Sequence, residues 1–267
     1  MHPMLNIAIR AARSAGKVIM QATEQLDKVE TEQKGSNGLV TSVDKEAEQA
    51  IIYVITKAYP DHGYICEESG EGGNKDSEYQ WVIDPLDGTT NFIKGIPHFC
   101  VSIALKVNGK TEQAVIFDPT RDELFTASKG AGCQFNTYRS RVTKAKDLKG
   151  SIIGTGFPFT IKHYKEAFLA IFSDVFDETA DIRHSGCTAL EMAYVATGRL
   201  DGFYEIGLKP WNTVAGELLI REAGGIITDF TGGHGYTATG NIVAGNPKVV
   251  KALLSKIRPH LTPALSR

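Results

Sequence analysis

The sequence predicts an α+β fold built in layers, and three observations carry that prediction. Two helical patterns open the chain, residues 98–135 read as one strand after another, and from 151 onward short strands alternate with helices. At 267 residues the chain is long enough for a substantial core, as one large domain or two closely packed ones. Its 42% hydrophobic and 22% charged residues are ordinary for a soluble globular protein. A net charge of −2 gives no electrostatic case for general nucleic-acid binding.

The elements follow in order. Residues 3–24 place Leu5, Ala8, Ile9, Ala12, Val18 and Ile19 at helical spacing. Residues 27–38 are polar and end in Lys34-Gly35-Ser36-Asn37-Gly38, a loop. A second helix is predicted over 42–58, where Thr41 followed by Asp44 is a capping pattern. A short strand, 63–66, delivers Glu67 and Glu68; if the strand continues, the two point to opposite faces and do not share an ion. Residues 70–79 read as a polar surface loop. Strands are predicted over 99–107, 112–118, 123–127 and 132–135, with Asn108-Gly109 as a hairpin signal. In the second half, strands are expected at 151–154, 181–183, 201–205, 226–229 and 241–244. Helices are expected at 163–177, 188–197 and 213–223, with another starting at Pro247.

No apolar run reaches the length of a membrane span, and the first residues lack a signal pattern, so a cytoplasmic protein is expected. The four cysteines, Cys66, Cys100, Cys133 and Cys187, are widely spaced without a CxxC pair; free buried thiols are expected, not a zinc site.

The chemistry concentrates in residues 80–92. Trp81-Val82-Ile83 reads as a buried strand that ends in two carboxylates, Asp84 and Asp87, with Pro85 between them. Gly88-Thr89-Thr90-Asn91 follows with a permissive backbone and hydroxyls. Carboxylates suit a hard cation, and a glycine-led turn suits a phosphate. The alternative is that both aspartates only cap a turn.

The run Asp84-Pro85-Leu86-Asp87-Gly88-Thr89-Thr90-Asn91 resembles the signature of the inositol monophosphatase family. Glu67-Glu68-Ser69-Gly70 is similar to its other acidic element, and Pro210-Trp211-Asn212-Thr213-Val214-Ala215-Gly216 to its C-terminal motif. The resemblance runs from about Met4 to Arg258, and both ends look most like the bacterial SuhB branch.

It implies a layered α/β/α/β/α sandwich of the sugar-phosphatase type. Residues 1–145 would carry the metal motifs, and 146–267 would close the active site within one compact unit. It further implies hydrolysis of inositol monophosphate with magnesium. The first ion would take Glu67, Asp84 and the Leu86 carbonyl, and the second Asp84, Asp87 and the acid of the C-terminal motif; a third, weaker ion would lie near Glu67. Asp44 with Thr89 would orient or deprotonate the attacking water. Gly88 and Thr89 would hold the phosphate through their N–H groups, and Cys187, Thr188 and Glu205 would lie beside the substrate.

Other readings stay open for several of these residues. Asp44 also serves its helix, Lys34 is either a site lysine or a solvated one, Thr188 an N-cap, Glu205 a strand-end acid. His98 and His184 are expected to pack, not to act as acids. A homodimer is expected. The SuhB branch also implies a second role, in transcription antitermination, with RNA polymerase or elongation factors as partners.

The family motif has Trp-Asp where this chain has Trp211-Asn212. Asn caps a helix as well as Asp does, but its neutral oxygen is a weaker magnesium ligand. Gly38 stands where many relatives carry an acid. Both changes predict a weakened second metal site.

Overall fold

The computed structural model describes residues 2–34, 38–262 and 265. Helix α1 (Pro3–Thr23) is followed by the hairpin β1 (Thr31–Lys34) and β2 (Gly38–Thr41). The segment 27–38 read as a loop therefore holds β1 and the first residue of β2; β1 was hidden because its residues, Thr31-Glu32-Gln33-Lys34, carry no apolar row. The side chain of Lys34 and residues 35–37 lie outside the described residues. Helix α2 (Ser42–Ala58) starts where the capping pattern places it. The Thr41 side chain accepts from the Val43 and Asp44 N–H groups, and Asp44 answers back to the Thr41 N–H.

Strands β3 (Gly63–Cys66), β4 (Gly70–Gly73) and β5 (Tyr79–Asp87) come next, then the one-and-a-half-turn helix α3 (Thr89–Ile93). A meander of β6 (Cys100–Val107), β7 (Lys110–Asp118), β8 (Glu123–Ser128), β9 (Gly132–Phe135) and β10 (Tyr138–Ser140) completes an eight-stranded sheet. Its order is β10-β9-β8-β7-β6-β5-β3-β4. The expected loop at 70–79 thus contains an edge strand, glycine-rich and without apolar alternation.

Beyond it lie β11 (Ile152–Thr155), α4 (Lys165–Phe176), β12 (Asp181–Arg183), α5 (Thr188–Ala196), β13 (Gly202–Glu205) and α6 (Pro210–Glu222). The chain continues through β14 (Ile226–Thr228), α7 (Tyr236–Thr239), β15 (Ile242–Gly245) and α8 (Pro247–Ile257). These strands form a five-stranded sheet in the order β12-β11-β13-β15-β14.

Strand periodicity turns this order into layers, because successive side chains face opposite sides. Trp81 and Ile83 of β5 pack with Val101, Ile103 and Leu105 of β6 against α1 and α2. Val82, Ala104, Ile116 and Phe125 face the other way, onto α5 and α6. The second sheet repeats the device: Phe203, Ile242 and Ala244 meet α5 and α6, whereas Ile153, Tyr204 and Val243 meet α4 and α8. The result is α/β/α/β/α, with α5 and α6 shared between the sheets. Each large apolar side chain buried this way contributes about 1.5–3 kcal/mol, and both sheets are buried on both faces. No helix among the described residues is long and apolar enough to cross a membrane.

Candidate metal and phosphate site

The acidic residues meet where β3 and β5, which run parallel, both end. Strand β5 loses its register with β6 between Asp84, still paired with Ser102, and Asp87, paired with Cys100, so Pro85 and Leu86 form a bulge that separates the two carboxylates. Gly88 then turns the chain into α3 with φ of 97°, and a Cβ at that position would stand 3.0 Å from the His98 carbonyl. Glycine is required on both counts. Thr89, expected in a loose turn, is instead the first residue of α3.

Asp84 is fully buried. Its Oδ1 accepts from the Leu86 N–H at 3.2 Å and its Oδ2 from the Asn212 amide at 3.0 Å. Burial, then the charges of Glu67 and Asp87, pushes the Asp84 carboxyl well above the ordinary range, and Asp44 adds to the effect. Asp87 is raised by loss of water, against hydrogen bonds from the Ala189 N–H, the Cys187 thiol and the Gly88 N–H. The first two measure 2.6 and 3.3 Å. The Gly88 N–H, expected to hold phosphate, is thus turned to Asp87.

Asp44 connects helix and site. Its Oδ2 takes the Thr41 N–H at 2.8 Å and hydroxyl at 2.6 Å, and its Oδ1 lies 2.9 Å from the Thr89 hydroxyl. Thr89 Oγ1 is also 3.0 Å from the Leu86 carbonyl. Desolvation raises the Asp44 carboxyl despite these bonds. The helix role and the pairing with Thr89 coexist in one side chain.

Glu67 and Glu68 do not continue β3; they lie in the turn after Cys66, so strand alternation does not separate them. Glu67 touches Asp84 closely enough to act on it through a hydrogen bond. The turn is fixed by Glu48, buried on α2, whose two oxygens accept from the Glu68 N–H at 2.9 Å and the Ser69 N–H at 3.0 Å. Sequence reasoning passed over Glu48. Its signal was its place four residues after Asp44, on the same helix face.

Asn212 differs from the expectation. The N-cap of α6 is Lys209, and Asn212 stands three residues inside, its Oδ1 accepting the Lys209 N–H at 3.1 Å. The atom presented to Asp84 is the amide nitrogen, a donor. Ligating a cation through Oδ1 would require the amide to turn over and forfeit the Lys209 bond.

The remaining residues surround a cavity of about 140 Å³ lined by Thr155, Gly156, His184, Gly186, Cys187, Thr188, Glu191 and Glu205. Cys187, not Thr188, is the N-cap of α5; the Thr188 hydroxyl donates to Glu205 at 3.0 Å. Burial pushes Glu205 up to about 8. Glu191, missed in the sequence, accepts the Ser185 N–H at 2.7 Å and is raised well above the usual range by burial. Gly156 makes room here, since a Cβ would sit 2.0 Å from Glu205 Oε1. His184 bonds the Thr155 carbonyl at 3.1 Å. His98 is lowered by burial. A larger cavity, about 490 Å³, lies between α6 and the β6–β7 hairpin and is lined by none of the four clustered acids Asp44, Glu67, Asp84 and Asp87.

Those acids fit a divalent cation. They are hard oxygen donors gathered around the buried Asp84, whose carboxyl is driven upward first by burial and then by the charges of Glu67 and Asp87.

Comparison with known proteins identifies the family and the fold. The family model described as inositol monophosphatase family matches residues 1–262. The chain is 60% identical to the Nus factor SuhB of Escherichia coli K12 over 267 residues, covering 100% of both. The crystal structure of the extragenic suppressor protein SuhB from Bartonella henselae superposes with a TM-score of 0.94 at 39% identity, over 97% of this chain and 100% of that one. An inositol monophosphatase from Anabaena gives 0.85 at 37%, over 98% and 97%.

Proposed function

This chain belongs to the inositol monophosphatase family, and from that premise we propose that it is a magnesium-dependent phosphomonoesterase converting inositol monophosphate to myo-inositol and phosphate. The observation that carries the reading is the gathering of Glu67, Asp87 and Asp44 around the buried Asp84, with Asp44 in turn bonded to the Thr89 hydroxyl.

Glu67, Asp84 and the Leu86 carbonyl would hold one magnesium ion; Asp84 and Asp87 a second, with Asn212 in place of the family's acid; a weaker third ion would lie near Glu67. Bound there, magnesium neutralises the phosphate charge, activates water and stabilises the leaving alkoxide. The protein groups do the positioning. Thr89 and Asp44 orient the attacking water, and Asp44 takes its proton as the new P–O bond forms. The ester P–O bond breaks in line, and the sugar oxygen leaves as an alkoxide that takes a proton from solvent water, while Asp44 returns its own proton to solvent. The N–H groups of Gly88 and Thr89 are the phosphate donors in this reading, which requires Gly88 to release Asp87. Thr188 and Glu205 face the sugar ring, beside Cys187.

The test is phosphate release from inositol monophosphate. Activity is expected to vanish in EDTA, return with magnesium and fall with lithium. Asp84→Asn should abolish turnover and the magnesium-induced rise in melting temperature. Full activity in EDTA would sink the reading, and a panel of sugar and nucleotide phosphates would fix the substrate.

A second reading is favoured by the high identity to a protein named Nus factor SuhB and by Asn212. In it the chain binds RNA polymerase or elongation factors in antitermination, with reduced phosphatase activity. Affinity capture of those factors by the purified chain tests it. A cytoplasmic homodimer fits both readings; light scattering checks the oligomeric state.

A further inference from the structure

Cys100 and Cys187 are far apart in sequence, one opening β6 and the other capping α5, yet their sulfurs lie 3.6 Å apart. Cys187 Sγ is 3.3 Å from Asp87 Oδ2, and one donor atom from each of the three residues lies within 4.8 Å of the others. A tetrahedral zinc-type ion with metal–sulfur bonds of about 2.3 Å and metal–oxygen bonds of about 2.0–2.2 Å has S–S edges of about 3.8 Å and S–O edges of about 3.5 Å. The two measured separations fall within a few tenths of an ångström of these edges. The ligand types are soft: two sulfurs select zinc or cadmium over magnesium, which prefers oxygen throughout. Access exists as well, because Cys187 lines the cavity that also holds Thr188 and Glu205.

We propose that Cys100, Cys187 and Asp87 form a second kind of cation site, one for thiophilic divalent ions, which withdraws Asp87 from the magnesium site. Binding exchanges two S–H bonds for two metal–thiolate bonds and releases two protons to solvent, and the Asp87 carboxylate supplies the third bond. The fourth position is left to water or to a group in the cavity. Thiophilic ions then inhibit by capturing a ligand that magnesium needs. This consequence rests on the phosphatase reading; the site itself does not.

The experiment titrates the reduced full-length protein, kept under a non-chelating phosphine reductant, with cadmium alone. It follows thiolate-to-cadmium charge-transfer absorption and calorimetric stoichiometry, and separately phosphate release in saturating magnesium. The expected result is one cadmium per chain with the absorption of two thiolates, and loss of turnover over the same range. Cys100→Ala should keep its turnover, bind cadmium at least tenfold more weakly and need correspondingly more for inhibition. Cys100→Ser serves the same purpose if the alanine variant folds poorly. No charge-transfer band in the native protein overturns the proposal, as does unchanged cadmium binding in both variants. Inhibition without the band places the ion on the magnesium ligands and overturns it too. If the protein hydrolyses no inositol monophosphate, the band and stoichiometry still decide the site, so the two failures are distinct.

Discussion

Asn212 shows how one atom changes what a site asks of its cation. Its amide nitrogen donates to Asp84 and its oxygen accepts from Lys209, so the side chain is satisfied at both ends without a metal. An aspartate there would keep the bond to the Lys209 N–H but would set a carboxylate against Asp84, which burial and its acidic neighbours already strain. A hydrogen bond to a charged group is worth about 1.5–3 kcal/mol. Asn212→Asp is therefore expected to lower the melting temperature in EDTA and to enlarge the gain on adding magnesium. It should also reduce the magnesium needed for half-maximal turnover and raise kcat. Melting curves with and without EDTA, together with a magnesium titration of phosphate release, check all four. If both proteins titrate identically, Asn212 serves only α6 and Asp84. Thr89→Ala isolates a different contact. It removes the hydroxyl beside Asp44 Oδ1 and should cost about 100-fold or more in kcat, the scale of lost proton-transfer assistance, while the melting temperature hardly moves. A kcat within a few-fold of native would remove Thr89 from the reaction.

At the scale of elements, the N-terminus of α2 is a helix start and, in the proposed mechanism, also the support of Asp44. Thr41 closes the capping box and donates its hydroxyl to Asp44. Thr41→Ala should cost about 1 kcal/mol of stability and should also lower kcat by loosening Asp44; Thr41→Ser, which restores the hydroxyl, should recover both. Recovery of stability without recovery of kcat would separate the two roles. This element was legible because its signals are local: Thr41 three residues before Asp44, then apolar residues at helical spacing. The signature at 84–91 was legible for the same reason; the meeting of Asp44 and Thr89, 45 residues apart, followed only from the family resemblance. What escaped was set by distant packing. Strands β1, β2 and β4 lack alternation, and their pairing comes from neighbours, not from their own residues. Glu191 and Glu48 went unread; folding brings one beside Ser185 and the other under the turn at 67–69. Asn212 was misassigned because the helix begins at Pro210, earlier than the expected 213, which moves it inside the first turn.

Across the whole molecule, the five layers converge on one region where carboxyls are kept from water, and that has a consequence for pH. Burial raises Glu205 from 4.5 to about 8 and moves Glu191 and Asp84 the same way. A carboxyl with a raised folded value holds its proton more tightly in the native state than in the unfolded chain. Its stabilising contribution is complete below the unfolded value of 4.5 and is lost as pH rises through about 8. This slope is opposite to that of a salt-bridged carboxylate. His62 and His98, lowered by burial from 6.5, act in the other sense, since stability rises as the unfolded histidine gives up its proton. The difference between the native protein and Glu205→Gln separates the two, because glutamine mimics the protonated acid at every pH. In EDTA, the advantage of Glu205→Gln over the native protein is expected to grow from pH 4.5 to about 8 and then level off, as read from calorimetric melting temperatures. Magnesium should raise the native melting temperature most at the alkaline end, where the acids are ionised and only the folded chain gathers them. If the two proteins keep a constant difference across this range, Glu205 is already ionised in the folded chain, and the cavity beside Thr188 is wetter than its packing implies.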